Sequence, residues 1–111
     1  MQLSIRIICD RSIAEAVKER VNALTNYLNL SNDHTFLPYW KDERCVISEL
    51  STDIEDPDYS KIQQFIKSIS GTENITQCSS SDSWECAYFA SIDELHTNPN
   101  IAFVTCSIFK Y

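Results

Sequence analysis

Leu3, Ile5, Ile7 and Cys9 alternate with Gln2, Ser4 and Arg6, the period of a strand with one buried face. From Ile13 the period changes to three and four. Ile13, Ala16, Val17, Val21, Leu24, Tyr27 and Leu28 recur at that spacing, with Lys18, Glu19, Asn22 and Asn26 between them. An amphipathic helix to about Leu30 is therefore predicted, and Ser12 with Glu15 stands as a capping box at its start. Asn32, Asp33 and His34 break the pattern. Thr35 to Trp40 is aromatic-rich but contains Pro38, which suits an edge strand or a structured loop.

Arg44 to Thr52 reads as a strand through Val46, Ile47 and Leu50. Asp56 followed by Pro57 supplies a capping carboxylate and a proline at a first helical position. Tyr59, Ile62, Phe65, Ile66 and Ile69 then form the apolar stripe of a second helix, and Gly71 stands where a left-handed C-terminal residue is wanted. Asn74 to Ser79 and Trp84 to Ala90 are strands around a polar turn. Ser91 with Glu94 repeats the capping box over one turn, and Asn98 to Asn100 is a turn. Ile101 to Phe109 is apolar on both faces, so this strand is expected inside the sheet.

The order predicts an α+β fold: a two-layer sandwich with two helices on one face of a mainly antiparallel sheet. The first six elements match a ferredoxin-like βαββαβ arrangement, with two added C-terminal strands. A mixed sheet with residues 35–40 as loop is the alternative. At 111 residues the chain is expected to form a single domain, 1–111, that buries roughly two-thirds of its unfolded surface.

Five cysteines, Cys9, Cys45, Cys78, Cys86 and Cys106, form no CxxC pair and lie within or beside strand-like runs. Core thiols in a reducing cytosol are the expectation. The first segment turns polar within nine residues and carries no basic leader, so it reads as a strand and not a signal peptide. No apolar run approaches the roughly 18 residues of a membrane span. The chain is expected to be cytoplasmic, with no membrane partner.

Charge changes the functional question. Net charge is −7 and the pI is near 4.6, and nine scattered Lys and Arg residues disfavour nucleic acid, whose binders cluster cations against phosphate. Asp42 to Asp58 holds seven carboxylates against the single cation Arg44. Such a field attracts a basic protein and speeds its encounter. The candidate partner-binding residues are Asp42 and Glu43 before the predicted strand, and Asp53, Glu55, Asp56 and Asp58 after it. Tyr39, Trp40 and Tyr59 are the candidate aromatic anchors; Trp84 reads as core.

Catalytic and cofactor chemistry find no pattern. A calcium loop begun at Asp53 would place Pro57 fifth, Asp58 where glycine belongs and Gln64 where a bidentate glutamate belongs. Cys78 and Cys86 are too far apart for a zinc knuckle. One glycine cannot build a phosphate-cradling loop. His34 and His96 lie in polar turns and read as surface histidines. No enzyme activity, metal or cofactor is expected.

The acidic segment Asp53-Ile54-Glu55-Asp56-Pro57-Asp58, together with size and composition, resembles the immunity proteins of bacterial contact-dependent growth inhibition and related polymorphic toxin systems. The resemblance implies a stoichiometric inhibitor of a cognate toxin domain, often a basic nuclease, blocked at or near its active site. It assigns no role to any residue. The competing class is a small regulatory or ligand-binding α+β domain.

Overall fold

The computed structural model describes residues 1–25, 36–98 and 100–110. In chain order these form β1 (Gln2–Asp10), a 3-10 turn (Arg11–Ile13), α1 (Ala14–Thr25), β2 (Leu37–Pro38), β3 (Cys45–Asp53), α2 (Tyr59–Ser70), β4 (Thr76–Ser79), β5 (Ser83–Tyr88), α3 (Ile92–Thr97) and β6 (Phe103–Phe109). The strands make one sheet in the order β2-β3-β1-β6-β5-β4, antiparallel at every pairing. The α+β class is as predicted. Its β2-β3-β1 half keeps the ferredoxin-like order. The other half is a meander of consecutive strands, so the two additional strands lie between β1 and β4, and β4 becomes an edge. Short connections favour this, because sequential strands pair most readily with their neighbours.

The alternation in β1 faces Leu3, Ile5, Ile7 and Cys9 into the main core, against Val17 and Val21 of α1 and Ile62, Phe65, Ile66 and Ile69 of α2. Trp84 and Cys86 of β5 and Val104, Cys106 and Ile108 of β6 complete it. Each such side chain contributes about 1.5–3 kcal/mol by leaving water. Phe65 is among the largest fully buried groups, and Phe65→Ala would cost about 3–5 kcal/mol. β6 lies inside the sheet, between β1 and β5, as its apolar run predicts.

Ile8 points to the opposite face, where Leu95 of α3, Cys45 and Ile101 form a second, smaller core flanked by Tyr39, Ile47, Tyr88, Ala90 and Phe103. The middle of that face along β1 is polar. Register places Ser4 beside Ser51 and Ser107, and Arg6 beside Glu49 and Thr105. Among the described residues α3 covers one end of this face, and the Arg6–Glu49 pair at 3.6 Å is exposed.

Helix boundaries differ in part from the sequence pattern. Ser12 does not cap α1. The Asp10 carboxylate accepts the Ser12 N–H at 2.9 Å and its hydroxyl at 2.7 Å, which closes a 3-10 turn and delays the helix to Ala14. The expected continuation through Tyr27 and Leu28 to Leu30, and the break at 32–34, lie outside the described residues. α2 is capped by Asp58, not Asp56: Asp58 accepts the Lys61 N–H at 3.1 Å. Asp56 precedes a proline, which disfavours right-handed helical backbone there, and it takes φ 48 instead, a conformation aspartate tolerates better than most residues.

Other signals map directly. Gly71 ends α2 at φ 78, its N–H donating to the Lys67 carbonyl at 3.0 Å. A Cβ there would stand 2.7 Å from the Asn100 carbonyl oxygen, so close approach and positive φ both require glycine. Ser91 caps α3 by accepting the Glu94 N–H at 3.1 Å. The Glu94 carboxylate accepts the Tyr88 hydroxyl instead of closing the box. Pro38 sits in β2, a two-residue edge strand. Among the described residues no helix is long and apolar enough to cross a membrane.

Cys9, Cys45, Cys86 and Cys106 are buried, but Cys78 is exposed. It lies on the β4 edge, every residue of which is exposed. The expectation of five core thiols therefore fails at Cys78: β4 is an edge strand, and register sets Cys78 opposite Glu85, in line with Ser107 and Ser4 on the polar face, and not on the side that α2 reaches through the Gln63–Gln77 hydrogen bond.

Candidate functional site

β3 runs for nine residues between the two acidic groups, so they stand roughly 30 Å apart at about 3.3 Å per residue. The molecule's longest extent is 36 Å. The groups occupy opposite poles, and their surroundings differ.

At the first pole, Tyr39 to Cys45 forms a tight turn. The Tyr39 N–H donates to the Cys45 carbonyl at 3.0 Å, and the Cys45 N–H donates to the Asp42 carbonyl at 3.1 Å. Tyr39 is half-buried against the second core. Trp40 is 82% exposed, edge-on to Tyr39 at 6.1 Å, with the Lys41 ammonium 5.0 Å above its ring. Glu43 is exposed. Asp42 turns inward: one oxygen accepts the Arg44 N–H at 2.8 Å, the other lies 2.9 Å from His96 Nε2.

His96 is not the surface histidine its polar context suggests. Its side chain is 16% exposed, between those of Asp42 and Asp10, which are 19% and 13% exposed. Nδ1 lies 3.4 Å from Asp10 Oδ2. The hydrogen bonds from Ser12, then the contact with His96, hold the Asp10 carboxyl below the usual carboxylate range. The Arg44 N–H, followed by His96, does the same for Asp42. Antiparallel pairing of β1 and β3 sets Asp10 opposite Cys45. The ligand-capable atoms of Asp42, Cys45 and His96 consequently all lie within 4.8 Å of one another.

This grouping lay beyond sequence pattern, because its members are 86 and 54 residues apart. The one usable signal is that Asp10 ends the first strand while Asp42 opens the turn leading to its pairing partner. A thiol beside an imidazole beside a carboxylate invites comparison with a nucleophilic triad. The electrostatics oppose it: burial, then the Asp42 and Asp10 charges, push the Cys45 thiol up. A catalytic thiol needs the reverse shift.

The second pole gathers Asp53, Glu55, Asp56 and Asp58, all exposed. Asp53 ends β3 opposite Gln2, which also pairs with Phe109, itself opposite Ser83. The pairing thus brings Phe109, 49% exposed, to the acidic end, a residue the sequence did not single out. Tyr59 is 37% exposed and packs edge-to-face on the buried Trp84 at 4.9 Å. Met1, Asp53, Ile54 and Glu55 line an open groove of about 460 Å³. Trp84 is core, as expected.

No protein-family model, curated protein or solved structure matches the chain.

Proposed function

We propose that this chain is an acidic protein-binding module that neutralises a basic partner by stoichiometric occlusion, in the manner of the immunity proteins its composition resembles. The observation that carries this is the second pole. Asp53, Glu55, Asp56 and Asp58 are exposed at one end of β3, and Tyr59, directly after Asp58, is 37% exposed, so charge for steering and a ring for anchoring lie at one pole.

The physical division of labour is as follows. The carboxylates attract a cationic protein from beyond contact, within the roughly 8–10 Å reach that salt permits. Tyr59, braced on Trp84, then excludes water where the partner seats. The partner is a cognate toxin domain, of which a basic nuclease is the best fit to the charge.

The test is co-expression with the polypeptide encoded immediately upstream. The expected result is that the upstream product alone arrests growth, that this chain restores it, and that the purified pair binds one to one. An upstream product that is not toxic, or whose toxicity this chain leaves unchanged with no complex by calorimetry, overturns the proposal.

A further inference from the structure

We propose that Asp42, Cys45 and His96 form a site for one divalent transition metal of the zinc class, with Asp10 orienting the imidazole. A neutral imidazole has one N–H, and His96 faces two carboxylates, Asp10 at Nδ1 and Asp42 at Nε2. One ring nitrogen therefore presents its lone pair to a carboxylate unless a cation stands between them. A proton can fill that role, and so can a metal ion. The fully buried Cys45 Sγ beside the same pair favours the metal, because a thiol adds nothing to a protonated bridge and supplies a soft ligand to a zinc-like ion.

The local backbone is built for this. Asp42 and Cys45 are three residues apart in a turn closed by the Cys45 N–H on the Asp42 carbonyl, 3.1 Å. This is the spacing by which two ligands of a metal knuckle share one turn. The Arg44 N–H holds the outer Asp42 oxygen at 2.8 Å and leaves Oδ2 to point at His96. Asp10 fixes the ring from its far side, the outer-shell carboxylate that metal-bound histidines ordinarily have. Two hydrogen bonds from Ser12 hold that carboxylate in turn.

Ligand atoms around a tetrahedral zinc are about 3.5 Å apart, given bonds near 2.0–2.3 Å. The present spread reaches 4.8 Å. Closing it requires about 1 Å of side-chain rotation. On binding, the Cys45 thiol proton passes to solvent, and thiolate plus Asp42 carboxylate balance the divalent charge. Water takes the fourth position, on the side where Asp42 and His96 remain 19% and 16% exposed. The ion would tie the turn bearing Trp40 to α3 and the end of β1.

Chelator-treated protein titrated with Co²⁺ tests the site. One equivalent is expected to give a thiolate-to-cobalt charge-transfer band with tetrahedral visible absorption, displaced by one equivalent of Zn²⁺. Cys45→Ala should abolish the charge-transfer band and His96→Gln stoichiometric binding. Asp10→Asn should weaken affinity about 10–100-fold, and Cys78→Ala should change nothing. Circular dichroism checks each variant's fold; His96→Gln, altering a partly exposed side chain, carries the test if Cys45→Ala does not fold. Failure of folded wild type to take up either ion stoichiometrically, binding unchanged in His96→Gln, or loss of the band in Cys78→Ala overturns the proposal.

Discussion

Asp42, at one end of β3, is held on both oxygens, by the Arg44 N–H and by His96, whereas at the other end Glu55 and Asp56 stand exposed on a loop. The same kind of sequence, clustered carboxylates flanking one strand, has been used in two ways. At the first pole β1 and α3 arrive with Asp10 and His96 and turn the charge inward. At the second, the strand ends of β1 and β6 deliver Gln2 and Phe109, which leave it facing water. An acidic run therefore gives a number of charges but not their availability to a partner. That depends on which elements the sheet brings alongside.

The largest expected effect lies in association. Changing Asp53, Glu55, Asp56 and Asp58 together to Asn or Gln should slow binding to the cognate partner by about tenfold or more at low salt and flatten its salt dependence. Asn at position 58 keeps a competent cap. Asp42→Asn should leave the rate within about twofold. Stopped-flow rates at two salt concentrations read both, and equal slowing by the two variants would erase the contrast between the poles.

Stability against pH should report the first pole, measured by denaturant unfolding in chelator-treated protein. Burial, then Cys45 and Asp10, push the Cys9 thiol up to about 12. A group whose folded pKa is raised contributes stability below its unfolded value, near 8.5, and loses it as pH rises toward the folded one. At pH 10 the share lost through Cys9 is about 2 kcal/mol, so Cys9→Val should shrink, without removing, an alkaline limb to which the raised Cys45, Cys86 and Cys106 thiols also contribute. On the acid side the sign reverses. Asp10 and Asp42 have lowered folded values, so their contribution is present above about pH 4 and disappears as pH falls through the folded pKa. Asp10→Asn should shrink that acid limb, and a limb identical to wild type would mean that Asp10 is not held by Ser12 and His96.

Smaller effects separate the caps. Asp58→Ala should cost about 1 kcal/mol through the lost α2 cap and leave His96 undisturbed. Asp10→Ala should cost a similar amount and also shift the His96 ring resonances in NMR spectra. The smallest expected change is Asp56→Gly, within about 0.5 kcal/mol, since relief at φ 48 is offset by the freer unfolded chain. Asp56→Val should be worse than either, because a β-branched residue resists that conformation.

Thiol reactivity separates the two cores from the exposed edge strand. Native protein should modify one cysteine quickly, Cys78, and four slowly; fast modification of Cys45 would contradict its full burial and raised pKa.

Local rules reached far in this chain. The alternation of Leu3, Ile5, Ile7 and Cys9, the stripe Ile62, Phe65, Ile66 and Ile69, the Gly71 terminus and the Ser91 cap each follow from side-chain period or from one residue's backbone preference. These need only a few neighbours along the chain, so sequence by itself determined them, and with them the α+β class. Where two local solutions competed, as for Asp56 and Asp58 or Ser12 and Asp10, the structure chose. The position of β4 at the edge, the exposure of Cys78 and the meeting of Asp10, Asp42, Cys45 and His96 are of another kind. They depend on which strand pairs with which and in what register, and pairings of residues up to 86 apart leave no periodic trace in either partner's own segment.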